Sequence, residues 1–375
     1  MIATIPPAEI GMPLREVDTP ALLIDLDAFE RNLERMRTSL AGSRTRLRPH
    51  AKTHKCPLIA LQQIDRGAVG VCCQKVGEAE AMVGGGVKDV FVSNEIVGRT
   101  KLNRLLSLAE TACVAVCADD PFHVQAYGQA AREQQVVLDV FVELNVGAER
   151  CGLDPGAAVV DLARRIAQTP SLRFAGLQAY HGSAQHLRTP AERRQAVRSA
   201  VEKVMETKAL LQAQGLDCET VTGAGTGTYL LEAASGIYDE LQPGSYIFMD
   251  VDYAKNQDED GQPQKNFEHS LFVYTTVISR PHSTRAVVDA GHKALPVDSG
   301  LPQVFGLEDV EYVRPSDEHG KLALHNPRIQ LRIGDQLMLI PGHCDPTVNL
   351  FDWYVGIRGG RVETLWPITA RGAMR

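Results

Sequence analysis

The run VVLDVFVEL at residues 136–144 decides the fold. It is almost continuously apolar rather than alternating. A strand buried on both faces reads this way, and such strands belong to parallel sheets covered by helices. Seven more stretches around it read as strands: RTRLRPHA (44–51), VGVCC (69–73), DVFVS (89–93), CVAVC (113–117), FAGLQAY (174–180), ETVTG (219–223) and YDELQPG (238–244). Helical segments separate most of them, among them KCPLIALQQIDRG, VGEAEAMVGGG and TKLNRLLSLAE. The best marked helix spans 190–213, with Thr189 as N-cap, Pro190 at the first position and Gly215 at the exit. Another is expected to start at Pro155, after Asp154. Upstream, Phe29, Leu33, Met36 and Leu40 make one apolar stripe on a helix over 27–40, with Asp27 as its cap and Glu30 three residues on.

Eight strands with intervening helices predict a TIM (β/α)8 barrel. The alternative is an open doubly wound sheet, which strand number does not exclude. Beyond about residue 261 the texture changes. SLFVYTTVIS, TRAVVDAG, QLRIGDQLMLIPG, WYVGIRGG and RVETLWPI are β-rich with Gly and Asp turns. The expected division is a barrel over 21–260 and a mainly β C-terminal domain built from 261–375 together with 1–20.

The chain has 375 residues, 44% hydrophobic and 23% charged, which excludes a disordered chain. The net charge of −7, with no basic patch, argues against nucleic acid as a partner. No apolar run approaches the ~18 residues that span a bilayer, and the N-terminus lacks the basic and apolar regions of a secretory signal. The eight cysteines include no CxxC pair and read as reduced thiols. The expectation is a cytoplasmic protein that engages neither membrane nor nucleic acid.

Active groups of a parallel barrel stand just after its strands. The first strand is followed by RPHAKTHK (48–55), where Lys52 can form a Schiff base if its surroundings allow; Lys55 competes, and a surface lysine is the plain alternative. His50 and His54 share this loop. The fifth strand is followed by Arg150, the sixth by Tyr180, His181 and His186. After the seventh comes GAGTGT (223–228), and after the eighth PGSY (243–246). Glycines in both loops let backbone N–H groups approach an anion, and loops after strands seven and eight often hold phosphate. In the second domain PGHCDPT (341–347) sets His343 and Asp345 two apart, on one face of an extended chain, with Cys344 on the other. An imidazole and a carboxylate suit a manganese-, zinc- or magnesium-type cation.

These segments, with TPALLIDLDAFERN, VCCQKVGEAEAM, GLQAYHGSAQH, LQPGSY and PGHCDPTVNL, resemble the D-threonine aldolase and D-serine dehydratase family of alanine-racemase-like, fold-type III pyridoxal phosphate (PLP) enzymes. The resemblance runs from about residue 17 to the C-terminus and leans toward D-threonine aldolase and 3-hydroxy-D-aspartate aldolase. It implies that Lys52 is the Schiff-base lysine and that Arg150 lies near the cofactor's phenolic oxygen with Tyr180 beside it. It implies a phosphate cradle of Gly225, Thr226 and Gly227 with Gly244, Ser245 and Tyr246. It makes His343 and Asp345 the metal pair, for manganese or else magnesium, cobalt or zinc, and has His186 act with that metal. Where many relatives read GGGTG, this chain has Ala224, which is without consequence if its φ is negative.

The activity so implied is cleavage of β-hydroxy-D-α-amino acids, D-threonine or 3-hydroxy-D-aspartate, to glycine and acetaldehyde or glyoxylate, by a homodimer. The competing readings are a dehydratase giving a 2-oxo acid and ammonia, whose second metal position is typically cysteine, and a PLP-binding protein without catalysis.

Overall fold

The computed structural model describes residues 5–326 and 328–375. Strand β1 (Ala21–Asp25) leads directly into helix α1 (Leu26–Ser39). Eight parallel strands follow: β2 (Arg46–Leu47), β3 (Val71–Cys73), β4 (Asp89–Glu95), β5 (Cys113–Ala118), β6 (Leu138–Glu143), β7 (Leu172–Ala179), β8 (Thr220–Gly223) and β9 (Glu240–Leu241). The helices between them are α2 (Pro57–Asp65), α3 (Val76–Gly84), α4 (Arg99–Ser107), α5 (Pro121–Glu133), α6 (Ala157–Ala167), α7 (Pro190–Ala213) and α8 (Tyr229–Ser235). The strands pair in sequence order from β3 to β9, and β9 pairs with β2. A parallel bridge from His50 to Cys72 closes the ring, with Val69 N–H on Leu47 O (2.9 Å) and Cys72 N–H on Pro49 O (2.9 Å). The structure is thus the expected barrel and not an open sheet.

The first and last barrel strands are shorter than their sequence runs. Pro49 and Pro243 carry no N–H for a ladder, so regular pairing shrinks to Arg46–Glu240 and Leu47–Leu241. The barrel interior is filled in layers. At the bottom Arg48 donates to the buried Glu240 (2.7 Å) and to the part-exposed Asp89 (2.6 Å), so each charge is partnered. Above it the tilted rings of Phe91 and Phe141 pack with centroids 4.7 Å apart beside Cys72 and Cys117. Gln178 and Gln242 bond to each other nearer the mouth.

Helix starts explain two differences from the sequence reading. Asp25, not Asp27, caps α1, accepting from Ala28 N–H at 3.0 Å; the chain turns at the last residue of β1, so the cap falls two positions earlier. Asp27 instead pairs with Arg358. Helix α6 begins at Ala157 rather than Pro155, with Gly156 (φ +140°) as its N-cap residue; Asp154 accepts instead from the Asn145 amide (3.0 Å). Helix α7 has the expected Thr189 cap, completed by Glu192. All eight cysteines are free.

The second sheet holds β10 (Leu271–His282), β11 (Arg285–Val288), β12 (Gln303–Val304), β13 (Val310–Pro315), β14 (Gly320–Leu324), β15 (Gln336–Ile340), β16 (Trp353–Arg358) and β17 (Arg361–Pro367). Strand β1, inside the segment expected for the barrel, runs here instead, antiparallel to β10 and parallel to β16. Phe29, Leu33 and Met36 of α1 are almost fully buried in the main core, each such side chain contributing about 1.5–3 kcal/mol. The strand and helix pin the β domain against the barrel, which sets the loop after β15 over the barrel mouth. Among the described residues, no helix is long and apolar enough to cross a membrane.

Candidate active site

The barrel mouth opens into a cavity lined by mostly polar side chains and by both glycine loops. Lys52, in the turn after β2, lines it. Its ammonium pairs with the carboxylate of Asp345. Burial alone would lower the ammonium, but the Asp345 carboxylate, with the Tyr180 hydroxyl, holds it above its usual range. Burial would raise Asp345; the Lys52 charge outweighs this and keeps the carboxyl ionised. Lys55, the rival lysine, is buried away from the cavity and paired with Glu78. His50 lies beside Lys52, bonded through Nε2 to Gln74 (3.2 Å), and burial and then the Lys52 charge push it down to about 3.

Arg150 and Tyr180 face each other across the mouth, the guanidinium carbon 5.9 Å from the ring centroid. Glu143, at the end of β6, is 3.9 Å from Arg150. Sequence reasoning missed this residue and its neighbour Glu95. Glu95, Glu143 and Cys151 are the only group of three or more metal-ligand side chains among the described residues. Burial and then the Glu95 carboxylate push Glu143 well above the usual carboxylate range.

Both glycine loops reach the cavity. Gly225, Thr226, Gly244 and Ser245 line it, while Gly227 and Tyr246 do not. Gly227 N–H is bonded to the Gln185 side chain (2.9 Å), and the Tyr246 hydroxyl accepts from Gln63 (3.0 Å). Ala224 has φ +66°, so the condition for a harmless replacement fails: a left-handed position carries a β-carbon, at a cost of about 1–2 kcal/mol. The loop is held from behind. Gln185 also donates to Thr228 (2.8 Å), and Thr228 donates to the buried Glu232 (2.7 Å).

His343 and Asp345 do not lie on an extended chain. Strand β15 ends at Ile340, and a short helix α9 (Val251–Ala254) meets the following loop, Val251 N–H bonding Pro341 O at 3.0 Å. Asp250 then accepts from Cys344 N–H (2.9 Å) and starts helix α10 (Cys344–Val348), with His343 as its N-cap residue. Asp345 thus sits in a first helical turn, and Cys344 is buried beneath it. His343 Nδ1 is bonded to Asp298 (2.8 Å). His186 is half-exposed and does not itself line the cavity; its ring is 5.4 Å from that of Tyr253, a cavity residue that sequence reasoning also missed.

Residues 24–252 match the family described as alanine racemase, N-terminal domain, and residues 270–357 the putative serine dehydratase domain. The chain is 47% identical to the 3-hydroxy-D-aspartate aldolase of Paracoccus denitrificans (strain Pd 1222), over 98% of this chain and 95% of that one. The crystal structure of D-threonine aldolase from Filomicrobium marinum superposes with a TM-score of 0.96 at 50% identity, covering 98% of this chain and 100% of that one. The chain belongs to this aldolase family, on the alanine-racemase fold. The D-threo-3-hydroxyaspartate dehydratase of Delftia sp. (strain HT23) stands further off, 28% identical over 94% of this chain and 97% of its own.

The family implies PLP, and the pocket fits it. It offers one lysine at the mouth, and the Thr226 hydroxyl is buried there without a partner. A β-carbon on Gly244 would lie 2.4 Å from Thr53 Oγ1, so only glycine lets the second loop pack this closely on the Lys52 turn. The metal pair also fits its chemistry. A carboxylate on Nδ1 leaves Nε2 of His343 free to ligate, the usual outer-sphere arrangement of a metal-binding histidine.

Proposed function

We infer that the chain is a PLP- and divalent-metal-dependent aldolase, a carbon–carbon lyase that cleaves β-hydroxy-D-α-amino acids to glycine and an aldehyde. The ion pair of Lys52 with Asp345 carries this reading. Such a substrate has its amine and its hydroxyl on adjacent carbons. The groups that receive them must therefore lie within a few ångströms of each other, and the lysine and the candidate metal ligand are in contact.

In this reading Lys52 holds PLP, with its phosphate on Gly225, Thr226, Gly244 and Ser245 and Arg150 and Tyr180 flanking it. His343 and Asp345 hold the cation. When bound, PLP supplies a sink for the charge left on Cα, and the cation supplies Lewis acidity toward the hydroxyl. His186 takes the hydroxyl proton as general base. Asp345 stands where a dehydratase would carry cysteine. Cys344 does not replace it: its thiol is fully buried and donates to Asp345 Oδ1 (3.5 Å). Manganese is the metal in this reading, and a homodimer in the cytoplasm the working form; eight unpaired cysteines suit a reducing compartment.

Stripping PLP with hydroxylamine tests the reading. Glycine release from D-threonine should stop and return when PLP is restored. Release that persists without PLP would overturn it.

A further inference from the structure

His186 reads as the base only if one ring nitrogen carries no proton and faces the substrate. The structure shows what sets the first of these. His186 Nδ1 lies 2.6 Å from Oδ2 of Asp252. The other oxygen, Oδ1, accepts from Nη2 of Arg188. Arg188 is fixed in turn, its Nη1 donating to the Asp252 carbonyl (2.7 Å) and to Asn256 Oδ1 (2.9 Å). Asp252 N–H bonds Gly342 O (3.3 Å), one residue before His343. Asp252 is buried, and its partners hold the carboxyl ionised below its usual range although burial opposes this.

We propose that Asp252 is the positioning residue of the reaction: it fixes His186 in the Nδ1–H tautomer and so leaves Nε2 bare to accept the substrate's hydroxyl proton. This rests on the aldolase reading of His186. A carboxylate on Nδ1 accepts only, so in the neutral ring Nδ1 donates and Nε2 is the lone-pair nitrogen. The less populated tautomer of free imidazole thereby becomes the working one. Arg188 makes the arrangement directional, because it claims one oxygen and leaves the other for the ring. Through Gly342 the same residue ties the base to the loop of the metal pair.

The argument makes the mild replacement the damaging one. In Asp252→Asn the amide oxygen must face Arg188, which can only donate. The amide NH2 then faces His186 Nδ1, which must accept, and the proton moves to Nε2. A carboxylate-to-amide change keeps size and packing, so a structural role would be preserved. Nitrogen-15 histidine-labelled protein, with His186 assigned from a His186→Gln variant, reads the tautomer directly. The wild type should show Nδ1 protonated, and Asp252→Asn should show Nε2 protonated. The kcat for D-threonine should fall in Asp252→Asn by about 10²–10⁴-fold, the span of a lost general base, with KM and the PLP absorbance band nearly unchanged. Asp252→Ala, which imposes no wrong tautomer, should lose less. Wild-type kcat in Asp252→Asn, or an Nε2–H tautomer in the wild type, overturns the proposal, as does normal turnover in His186→Gln. If instead the wild type yields no glycine from any D-β-hydroxy amino acid, the aldolase reading itself fails, and the labelled spectra still decide whether Asp252 sets the tautomer.

Discussion

Lys52 and Asp345 meet as an ion pair across the junction of the barrel and the β domain. The first stands in the turn after β2, the second in the first turn of α10. Neither domain alone makes the pair, which brings the proposed cofactor lysine and the proposed metal ligand together.

Lys52→Ala should abolish the visible absorbance of bound PLP and reduce glycine release to background, while far-ultraviolet circular dichroism stays native. Cofactor retained with turnover near that of the wild type would assign its attachment to another residue.

Asp298→Asn should weaken metal binding by about 10–100-fold, as loss of an outer-sphere partner does, without loss of PLP. Titrating activity with manganese after chelation measures this. A variant whose manganese dependence matches the wild type would separate Asp298 from the metal. In the unaltered protein the chelator itself should remove turnover and leave the absorbance of PLP in place.

Gly244→Ala places a β-carbon 2.4 Å from Thr53 Oγ1 and 2.9 Å from the His50 carbonyl. The expected result is a stability loss of about 1–3 kcal/mol and a clear rise in the PLP dissociation constant. Chemical denaturation and equilibrium dialysis report the two separately; unchanged PLP affinity would show that the second loop does not touch the phosphate.

Burial pushes Glu232, behind the first loop, up to about 7, with the Thr228 hydroxyl opposing. The folded state therefore binds this proton more tightly than the unfolded chain, whose pKa is near 4.3. The contribution to stability is fully present below about pH 4.3 and is lost as pH rises through about 7, with a ceiling on the order of 3 kcal/mol. Glu232→Gln should remove this slope, so its melting temperature should gain on the wild type from pH 5 to pH 8. Parallel melting curves across that range would contradict the assignment.

Much of this was legible in the sequence. VVLDVFVEL and its seven companions read as barrel strands because burial on both faces leaves little room for polar residues. Lys52 and the two glycine loops were placed by following each strand to its C-terminal end. The errors came where distant residues decide local structure. His343 and Asp345 were read as an extended pair, yet Asp250, almost a hundred residues earlier, caps Cys344 N–H and turns the chain into a helix. Strand β1 joined the β domain through pairing with β10 and β16, which no local pattern reports. Tyr253, Glu143 and Glu95 carry no motif; only the fold brings them to the mouth.

Product identification tests the central claim most directly. Protein loaded with PLP and manganese is incubated separately with D-threonine and with 3-hydroxy-D-aspartate. The account predicts glycine with acetaldehyde from the first and glycine with glyoxylate from the second. The relative kcat/KM names the preferred substrate. A 2-oxo acid and ammonia in place of glycine would contradict it and make the chain a dehydratase despite Asp345.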